Sequence, residues 1–272
     1  MKELGFNMLR KHAKIEPERF YYHCDQLGML VWQDMVNGGS AYKHWFVTYL
    51  ATLMNWNHIS FSDDEKHAGL LSRLHPEGKD EFRREITETI AFLYNHPSIV
   101  VWVPFNEGWG QFDALAACEQ IRTLDSSLVD HASGWFDQKG GDILSLHYYF
   151  LKLKFKPESK RAAALTEFGG YSLSIPGHSC CKKVYGYKKF NSTGTLTYGY
   201  IDLIRQTILP AVKKGIGATV YTQLSDIEEE TNGIYTYDRE ICKIDPDTLR
   251  KWNRALKEAG ECKTYADHTT DH

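Results

Sequence analysis

Residues 98–107 read SIVVWVPFNE, and this stretch decides the predicted fold. Its run of β-branched and aromatic residues predicts the clearest strand in the chain. The stretch directly before it, 80–95, has apolar residues at helical spacing and stops at His96-Pro97, which predicts a helix. A helix that leads into an apolar strand is the repeating unit of an α/β protein built on a parallel sheet.

The same alternation of apolar strands and amphipathic helices continues along the chain. Further strand candidates share short apolar runs bounded by turn residues, and they lie at 6–12, 29–35, 128–133, 142–148, 162–168 and 217–226. Residues 36–78 are too long for an ordinary connection between strand and helix, so they predict an elaborated loop over one face. A last helix opens at Asp245-Pro246, an N-cap residue followed by a first-turn proline.

Seven strand–helix repeats are one short of the eight that close a TIM barrel. We therefore predict an α/β fold, a (β/α)8 TIM barrel over residues 1–260 followed by a tail at 261–272. The barrel is expected to lack its first strand and most of its first helix. The opening MKELG predicts the last turn of a helix capped by Gly5, so the missing strand is expected upstream of Met1.

Composition narrows the class of partner. The chain has 272 residues, 42% hydrophobic and 25% charged, with a net charge of −3, which argues against disorder and against a nucleic-acid partner. Neither a membrane-spanning apolar run nor a signal peptide is recognisable, so we predict no membrane association and a cytoplasmic location. The six cysteines are scattered without C-x-x-C spacing, which favours reduced thiols, no metal site and no cofactor.

Four acidic residues end predicted strands, namely Asp34, Glu107, Glu167 and Asp226. Barrel enzymes carry their chemistry at this end of the strands. Glu107 and Glu167 stand out because each follows an apolar strand and precedes a glycine-bearing turn, GWG and FGG. Glycoside hydrolysis needs two such carboxyl groups, about 5 to 5.5 Å apart for retention and roughly 6.5 to 9.5 Å apart for inversion. The pair therefore predicts a glycosidase site.

Five segments, in the same order, resemble the catalytic barrel of glycoside hydrolase family 2, the β-galactosidase and β-glucuronidase family. They are LGFNMLRKH at 4–12, FYYHCDQLGMLVWQDM at 20–35, VWVPFNEGWGQ at 101–111, ALTEFGG at 164–170 and TQLSDIEEETNGIYTYDR at 222–239. The last segment resembles the eighth strand and loop of one bacterial subgroup. The resemblance covers essentially the whole chain, and the family's usual N-terminal β-sandwich domains are expected to be absent from it.

This resemblance implies a retaining β-glycosidase that acts on a terminal sugar by double displacement. Glu107 is expected to be the general acid/base, protonated at rest, and Glu167 the ionised nucleophile. Asn106 is expected to hydrogen-bond the sugar 2-OH, with a local backbone role as its alternative.

Further substrate-binding candidates end predicted strands or follow Glu107 directly, namely His12, Asp34, His147, Tyr148 and Trp109. Arg10 ends the same strand as His12. Tyr148 is expected to hold the nucleophile through its hydroxyl, and Asp34 or His12 to bind sugar hydroxyls. Trp109 and Trp135 are expected as stacking platforms. A buried hydrogen-bond network, or core packing for the two tryptophans, remains the alternative.

One departure from the family pattern limits what the resemblance implies about the substrate. Many family members carry a tryptophan at the end of the eighth strand, where this chain has Thr222 and Gln223. Galactose specificity is therefore not carried over, and the partner is left as a carbohydrate of unspecified type, with the oligomeric state open. The alternative function is a non-catalytic carbohydrate-binding fragment of such an enzyme.

Overall fold

The structure is a computed structural model that describes residues 1–57, 59, 61–150, 152–181 and 183–267, with side chains through 261. The chain forms two compact units. The N-terminal unit contains Asn7–Leu146 and Glu158–Ala162, and the C-terminal unit contains Met1–Phe6, His147–Pro157 and Ala163–His272.

The N-terminal unit is built on a four-stranded parallel sheet. Its strands are β1 (Met8–Lys11), β2 (Leu30–Asp34), β3 (Ile99–Val103) and β4 (Leu128–Val129), in the order β1-β2-β3-β4. The side chains of β3 are almost all buried, because helices cover both faces of such a sheet. This burial explains the uninterrupted apolar run from which the strand was predicted.

Helices connect these strands as the sequence pattern predicts. Helix α1 (Glu18–Leu27) joins β1 to β2 and ends at Gly28, whose left-handed φ of 62° favours glycine. Helix α3 (Pro76–Leu93) precedes β3, and α4 (Ala114–Leu124) connects β3 to β4. The apolar stripe of α3 is buried against the sheet.

The prediction of a loop over 36–78 is wrong in part, because this insertion contains helices. A π-helical segment, Trp45–Leu50, continues into α2 (Ala51–Trp56), and a short 3-10 turn follows at Glu65–His67. The helical segment buries Phe46, Val47 and Ala51 in one apolar cluster with Leu71, Trp135 and Phe136. Packing against residues distant in sequence supports this helix, and a local periodicity test does not detect such contacts.

The C-terminal unit contains a second sheet. In this sheet β6 (Ala162–Gly169) is parallel to β9 (Ile216–Thr222), and β5 (Ile143–Tyr148) is the strand in which the chain passes from one unit to the other. Two short strands, β7 (Tyr171–Ser172) and β8 (Lys188–Lys189), pair separately. The predicted α/β class and all seven predicted strands are confirmed, but the strands of the described ranges form separate sheets and no closed barrel is seen.

Helices of the C-terminal unit also follow the prediction. Helix α5 (Thr193–Leu203), a π-helical segment (Ile204–Ile208) and α6 (Leu209–Lys213) run on without a break. Helix α7 (Pro246–Asp267) opens where predicted, and Asp245 Oδ2 accepts a hydrogen bond of 2.7 Å from the Thr248 amide. The opening residues form one 3-10 turn, Lys2–Leu4, capped by Gly5 at φ 86°. None of the helices in the described part of the chain combines the length and apolar character needed to cross a bilayer.

Candidate active site

Glu107 lies in the turn that follows β3. Its amide donates to the Ser133 carbonyl at 2.8 Å, and Asn106 pairs with Ser133 as an isolated parallel bridge. Glu107 has a φ of 49°, in the left-handed region that residues other than glycine rarely occupy. Gly108 continues in that region with a φ of 71°. The backbone pairing thus holds a partly buried glutamate in a strained turn, a feature that clusters at functional sites.

Asn106 is oriented by a buried arginine. Arg10, in β1, forms a two-pronged ion pair with Asp34, in which Nε and Nη2 each lie 2.9 Å from a carboxylate oxygen. Arg10 Nη2 also donates to Asn106 Oδ1 at 2.8 Å. Both members of the ion pair have only 3% of their side chains exposed, so the contact is shielded from water. The Asn106 amide is therefore fixed with its oxygen toward Arg10 and its NH₂ group as a donor.

A pocket opens beside this network within the N-terminal unit. Its lining combines polar and apolar groups from three connecting loops: Ala13, Asp34, Met35, Asn37, Val103, Pro104, Asn106 and Trp109. The Trp109 ring is 38% exposed and lies against the Tyr42 ring with centroids 5.3 Å apart. The cavity measures about 30 Å³, which is room for a water molecule or for a single polar group of a larger ligand.

Arg73, from the insertion, ties two loops of this pocket together. Its Nε donates to the Gly110 carbonyl at 2.9 Å, and its Nη2 donates to Asn37 Oδ1. Asn37 in turn donates to the Trp109 carbonyl at 2.6 Å. The Arg73 guanidinium packs between the rings of Phe82 and Phe112, which leaves the residue 7% exposed. Sequence analysis missed Arg73 and Asn37 because neither lies at a strand end or in a recognisable motif.

Asp130 is a third residue that sequence analysis missed. It follows β4 directly and is completely buried. Burial raises the pKa of its carboxyl to about 6, although Arg10 and His131 act in the opposite direction. An aspartate behind Arg10 therefore changes charge near neutral pH, which no local sequence signal indicates.

Glu167 lies near the end of β6 in the C-terminal unit. Tyr149 Oη donates to Glu167 Oε2 at 2.5 Å, a length typical of a hydroxyl bonded to a carboxylate. His147 Nδ1 lies 3.6 Å from the same oxygen, and its side chain is fully buried. The Tyr149 hydroxyl also lies 3.1 Å from Thr222 Oγ1, and its ring stacks on Tyr187 with centroids 4.0 Å apart. The Glu167 carboxylate, 15% exposed, is therefore held in one orientation.

Two glycines follow Glu167 at the end of β6. Gly169 and Gly170 have φ values of 99° and 63°. A Cβ on Gly169 would lie 2.5 Å from the Tyr221 ring, and one on Gly170 would lie 2.4 Å from the Tyr187 ring. The backbone can approach these rings only because both positions lack a side chain.

Comparison with known proteins gives a consistent class of relatives. No protein-family model matches the chain. It is 26% identical over 281 residues to a β-galactosidase from Leuconostoc mesenteroides, a match that covers 97% of this chain and 24% of that protein. It is also 32% identical over 94 residues to β-mannosidase B from Thermothelomyces thermophilus, covering 35% of this chain and 8% of the relative. The chain thus spans a quarter or less of the length of these curated relatives.

Solved structures share the fold over nearly the whole chain. A glycoside hydrolase family 2 β-galacturonidase from Eisenbergiella tayi bound to galacturonate matches with a TM-score of 0.62 and 18% identity, covering 93% of this chain and 45% of that one. The chain shares its fold with this glycoside hydrolase family 2 enzyme. A β-D-glucuronidase from Dictyoglomus thermophilum has a TM-score of 0.63 at 14% identity, with the same coverage of 93% and 45%.

The substrate-binding candidates of the N-terminal unit divide into three groups. Asp34 and Trp109 line the pocket, and Asp34 is at the same time part of the buried network predicted as its alternative. His12 is exposed just after β1 and is not among the pocket-lining residues. Trp135 is 8% exposed within the apolar cluster, so its alternative as a core residue holds and the stacking platform does not.

The tyrosine that donates to Glu167 is Tyr149 and not the predicted Tyr148. Tyr148 is the last residue of β5, and side chains alternate between faces along a strand. Because His147 points to Glu167, Tyr148 points away, and Tyr149 returns to the His147 side. The prediction identified the correct strand end but was wrong by one residue.

Asp226, the fourth acid of the sequence scan, has a structural role. It is 3% exposed and accepts a 2.6 Å hydrogen bond from Lys243 Nζ, which is itself fully buried. Lys243 also donates to the Leu173 and Thr231 carbonyls at 2.9 and 2.8 Å. Asp226 therefore stabilises the C-terminal unit as the ion-pair partner of the buried Lys243.

One group of metal-ligand types lies on the surface of the C-terminal unit. Ligand atoms of His178, Asp238 and Glu240 lie within 4.8 Å of one another, and His178 Nδ1 is 2.7 Å from Asp238 Oδ2. This contact explains the grouping as a His–Asp hydrogen bond among exposed acids, so we assign no metal to it.

Proposed function

We propose that this chain is the catalytic part of a retaining β-glycosidase that removes a terminal sugar by double displacement. The observation that supports this most strongly is the Glu167 carboxylate, held by the Tyr149 hydroxyl at 2.5 Å and flanked by His147. A nucleophile must present one oxygen in a fixed direction to the anomeric carbon, and the tyrosine bond supplies that orientation.

In the proposed first step, Glu167 attacks the anomeric carbon while Glu107 donates its proton to the glycosidic oxygen. The carbon–oxygen bond to the leaving group breaks, the leaving group departs as an alcohol, and a glycosyl ester forms on Glu167. In the second step, Glu107 removes a proton from water, which attacks the same carbon and releases Glu167. The anomeric configuration is retained because the carbon is inverted twice.

Asn106 is proposed to donate from its NH₂ group to the sugar 2-OH. Arg10 supports this role because it occupies the Asn106 oxygen at 2.8 Å and so fixes which end of the amide is presented. The pocket beside Asn106, with Trp109 at its edge, would receive part of the substrate. Asp34, His12, His147 and Tyr148 remain proposals as sugar contacts.

The proposal includes the (β/α)8 barrel over residues 1–260, because in a barrel the carboxyl ends of all strands share one face. Support comes from the likeness to glycosidase structures over 93% of the chain. The names of the relatives cover mannosides, galactosides and uronides, so the sugar is proposed only as a terminal β-linked pyranoside.

Hydrolysis of a panel of aryl β-glycosides tests the proposal. Glu167→Gln is expected to lower kcat by at least about 10³-fold, because the covalent step is lost, and Glu107→Gln by about 10²- to 10⁴-fold. Glu119→Gln changes an exposed helical acid and serves as the control with unchanged turnover.

A mechanism-based 2-fluoro glycoside gives an independent readout. It is expected to label the chain once, at Glu167, as found by peptide mapping. Label on another residue would refute the nucleophile assignment. Sugar binding without turnover in the unmodified protein would support the carbohydrate-binding alternative instead.

A further inference from the structure

Two adjacent cysteines form a thiol pair on the surface of the C-terminal unit. Cys180 and Cys181 are both exposed, and their Sγ atoms lie 3.6 Å apart. A disulfide requires about 2.05 Å, so both sulfurs are thiols. The other cysteines with described side chains differ, because Cys24 and Cys118 are buried and Cys242 is half-buried.

The turn that precedes the pair is held by its own hydrogen bonds. The His178 amide donates to the Ile175 carbonyl at 3.1 Å, and Ser179 Oγ donates to the same carbonyl at 3.4 Å. Ser174 Oγ and Ser179 Oγ lie 3.1 Å apart. Cys180 Sγ is anchored on the other side, because it donates to the Glu228 carbonyl at 3.3 Å. These contacts hold the loop so that the two sulfurs are close together before any ligand binds.

The surroundings of Cys181 disfavour its thiolate. The hydrogen bond with Cys180 raises the pKa of the Cys181 thiol, and the nearby carboxylates of Glu229 and Glu228 act in the same direction. A reagent that needs one free thiolate is therefore slowed. A ligand that takes both sulfurs together gains from their proximity, since the second bond forms within the same molecule.

We propose that Cys180 and Cys181 form a vicinal dithiol site for a thiophilic trivalent metalloid of the arsenic(III) class. Soft thiol ligands select soft centres, and a three-coordinate pyramidal centre needs only two sulfurs from the protein. Structural zinc, by comparison, requires four ligands in a tetrahedron. With an organoarsenic(III) oxide, two S–H bonds and the arsenic–oxygen bonds break, two As–S bonds form, and the oxygen leaves with both protons as water. No electron transfer is needed.

The site is connected to the Glu167 environment through a short segment of the same unit. The Tyr185 amide donates to the Glu229 carbonyl at 2.7 Å, next to the carbonyl that anchors Cys180. Two residues later, Tyr187 donates its amide to the Gly170 carbonyl at 3.0 Å and stacks on Tyr149. Occupancy of the dithiol is therefore expected to change amide protection at Tyr185 and Tyr187.

Phenylarsine oxide and intact-mass spectrometry of the folded chain test the site. One arsenical is expected per chain, added with loss of one water, removed by 1,2-ethanedithiol and resistant to an equal concentration of a monothiol. Peptide mapping is expected to place it on Cys180 and Cys181. An adduct elsewhere, or no adduct, would overturn the proposal.

Single variants separate the pair from an ordinary exposed thiol. Cys180→Ser and Cys181→Ser are each expected to abolish the monothiol-resistant adduct, whereas Cys242→Ser is expected to retain it. Because both cysteines are exposed, each variant should keep the circular dichroism spectrum of the parent, and Cys181→Ala provides a second variant should one misfold. Retention of the adduct in a folded single variant would contradict a two-sulfur site.

Discussion

At the scale of single residues, Tyr149 has the most direct effect on the proposed nucleophile. Its hydroxyl is bonded to the Glu167 carboxylate at 2.5 Å. A hydrogen bond to a charged group is worth about 1.5 to 3 kcal/mol, so Tyr149→Phe is expected to lower kcat by about 10- to 100-fold. The KM is expected to change less, because the bond orients the attacking group more than it binds the sugar. Steady-state kinetics on an aryl β-glycoside measures both.

Tyr198→Phe is the control for that prediction. It removes the same hydroxyl from a side chain of α5 that is 74% exposed and belongs to none of the proposed sugar contacts. Its kcat is expected to stay near that of the parent. Equal losses in the two variants would contradict the orientation role of Tyr149.

Because of Asp130, the free energy of unfolding is expected to decrease as pH rises. Its folded pKa of about 6 lies above the ordinary value of 3.8, so between these values the folded chain holds a proton that the unfolded chain has lost. Stability from this group therefore falls as pH rises from about 4 to about 6. Asp130→Asn is expected to be more stable than the parent above pH 6 by up to roughly 3 kcal/mol, and equal to it at low pH.

Urea denaturation at several pH values measures this effect. Asp80→Asn, at an exposed helical site, is the control that removes a charge without changing a buried group. The groups that face Asp130 are Arg10, His131, Ser145 and Asp34; the first three favour its charge, and Asp34 opposes it. A variant less stable than the parent above pH 6 would show that these contacts outweigh burial.

The sequence indicates some of these residues and not others for a physical reason. Glu107 and Glu167 could be predicted because each ends a strand that is recognisable from its own composition. Tyr149, Arg73 and Asp130 act through contacts with residues distant along the chain, which no local pattern records. The error of one residue at Tyr148 shows that side-chain alternation at a strand end depends on where the strand stops.

At the scale of elements, Asp63 joins the insertion to the start of α4. Its Oδ2 accepts hydrogen bonds of 3.0 Å from the Ala114 amide and from Gln111 Nε2. It thus satisfies a first-turn amide of the helix from 51 residues away. Asp63→Ala is expected to lower the free energy of unfolding by about 1 to 2 kcal/mol.

The adjacent Asp64 provides the comparison. It is exposed, it accepts the Lys66 amide at 3.1 Å, and its Oδ1 lies 2.9 Å from His67 Nδ1, so these contacts stay within its own segment. Asp64→Ala is expected to change stability by less than about 0.5 kcal/mol. Chemical denaturation of both variants decides whether the insertion contributes stability through this contact.

Elements were predictable where local composition is decisive. Strands β2, β3 and β6 are rich in apolar residues, and the burial of most of their positions accounts for that composition. The insertion helices depend on packing against Phe136 and Leu71, and β7 and β8 are two residues long, too short to leave a pattern. Strand existence was therefore confirmed, whereas the content of the insertion was not anticipated.

At the scale of the whole molecule, each unit depends on buried charges that connect distant segments. In the C-terminal unit, Lys243 Nζ joins Asp226 to the carbonyls of Leu173 and Thr231. Lys243→Met is expected to lower stability by about 3 to 5 kcal/mol, because it leaves a buried carboxylate without its partner. A thermal melt followed by circular dichroism measures the loss.

A second substitution tests the reason for that loss. In Lys243→Met/Asp226→Leu the buried charge is gone, so part of the stability is expected to return. Lys214→Met, at an exposed lysine, is the neutral control. A double variant no more stable than Lys243→Met would point to lost packing and not to an uncompensated charge.

The N-terminal unit includes a short segment that is separated in sequence from the rest of the unit. Arg161, in the returning stretch Glu158–Ala162, forms ion pairs with Asp137 at 2.7 and 2.9 Å. The hydrogen bond from His131, together with these Arg161 contacts, outweighs burial and holds the pKa of the Asp137 carboxyl well below its usual range. Sequence patterns describe residues that are neighbours along the chain. They could not indicate that Glu158–Ala162 belongs to the N-terminal unit while the stretches on both sides of it belong to the C-terminal unit.

The two glycines after Glu167 restrict how this protein can diverge. Any side chain at Gly169 or Gly170 would need to displace the ring of Tyr221 or Tyr187, and the left-handed backbone adds a further cost for other residues. In a saturation mutagenesis experiment selected for folding, both positions should accept almost nothing but glycine. A side chain at Gly169 would need a smaller residue at 221, and one at Gly170 would need a smaller residue at 187. Each glycine and its tyrosine are therefore expected to change together or not at all.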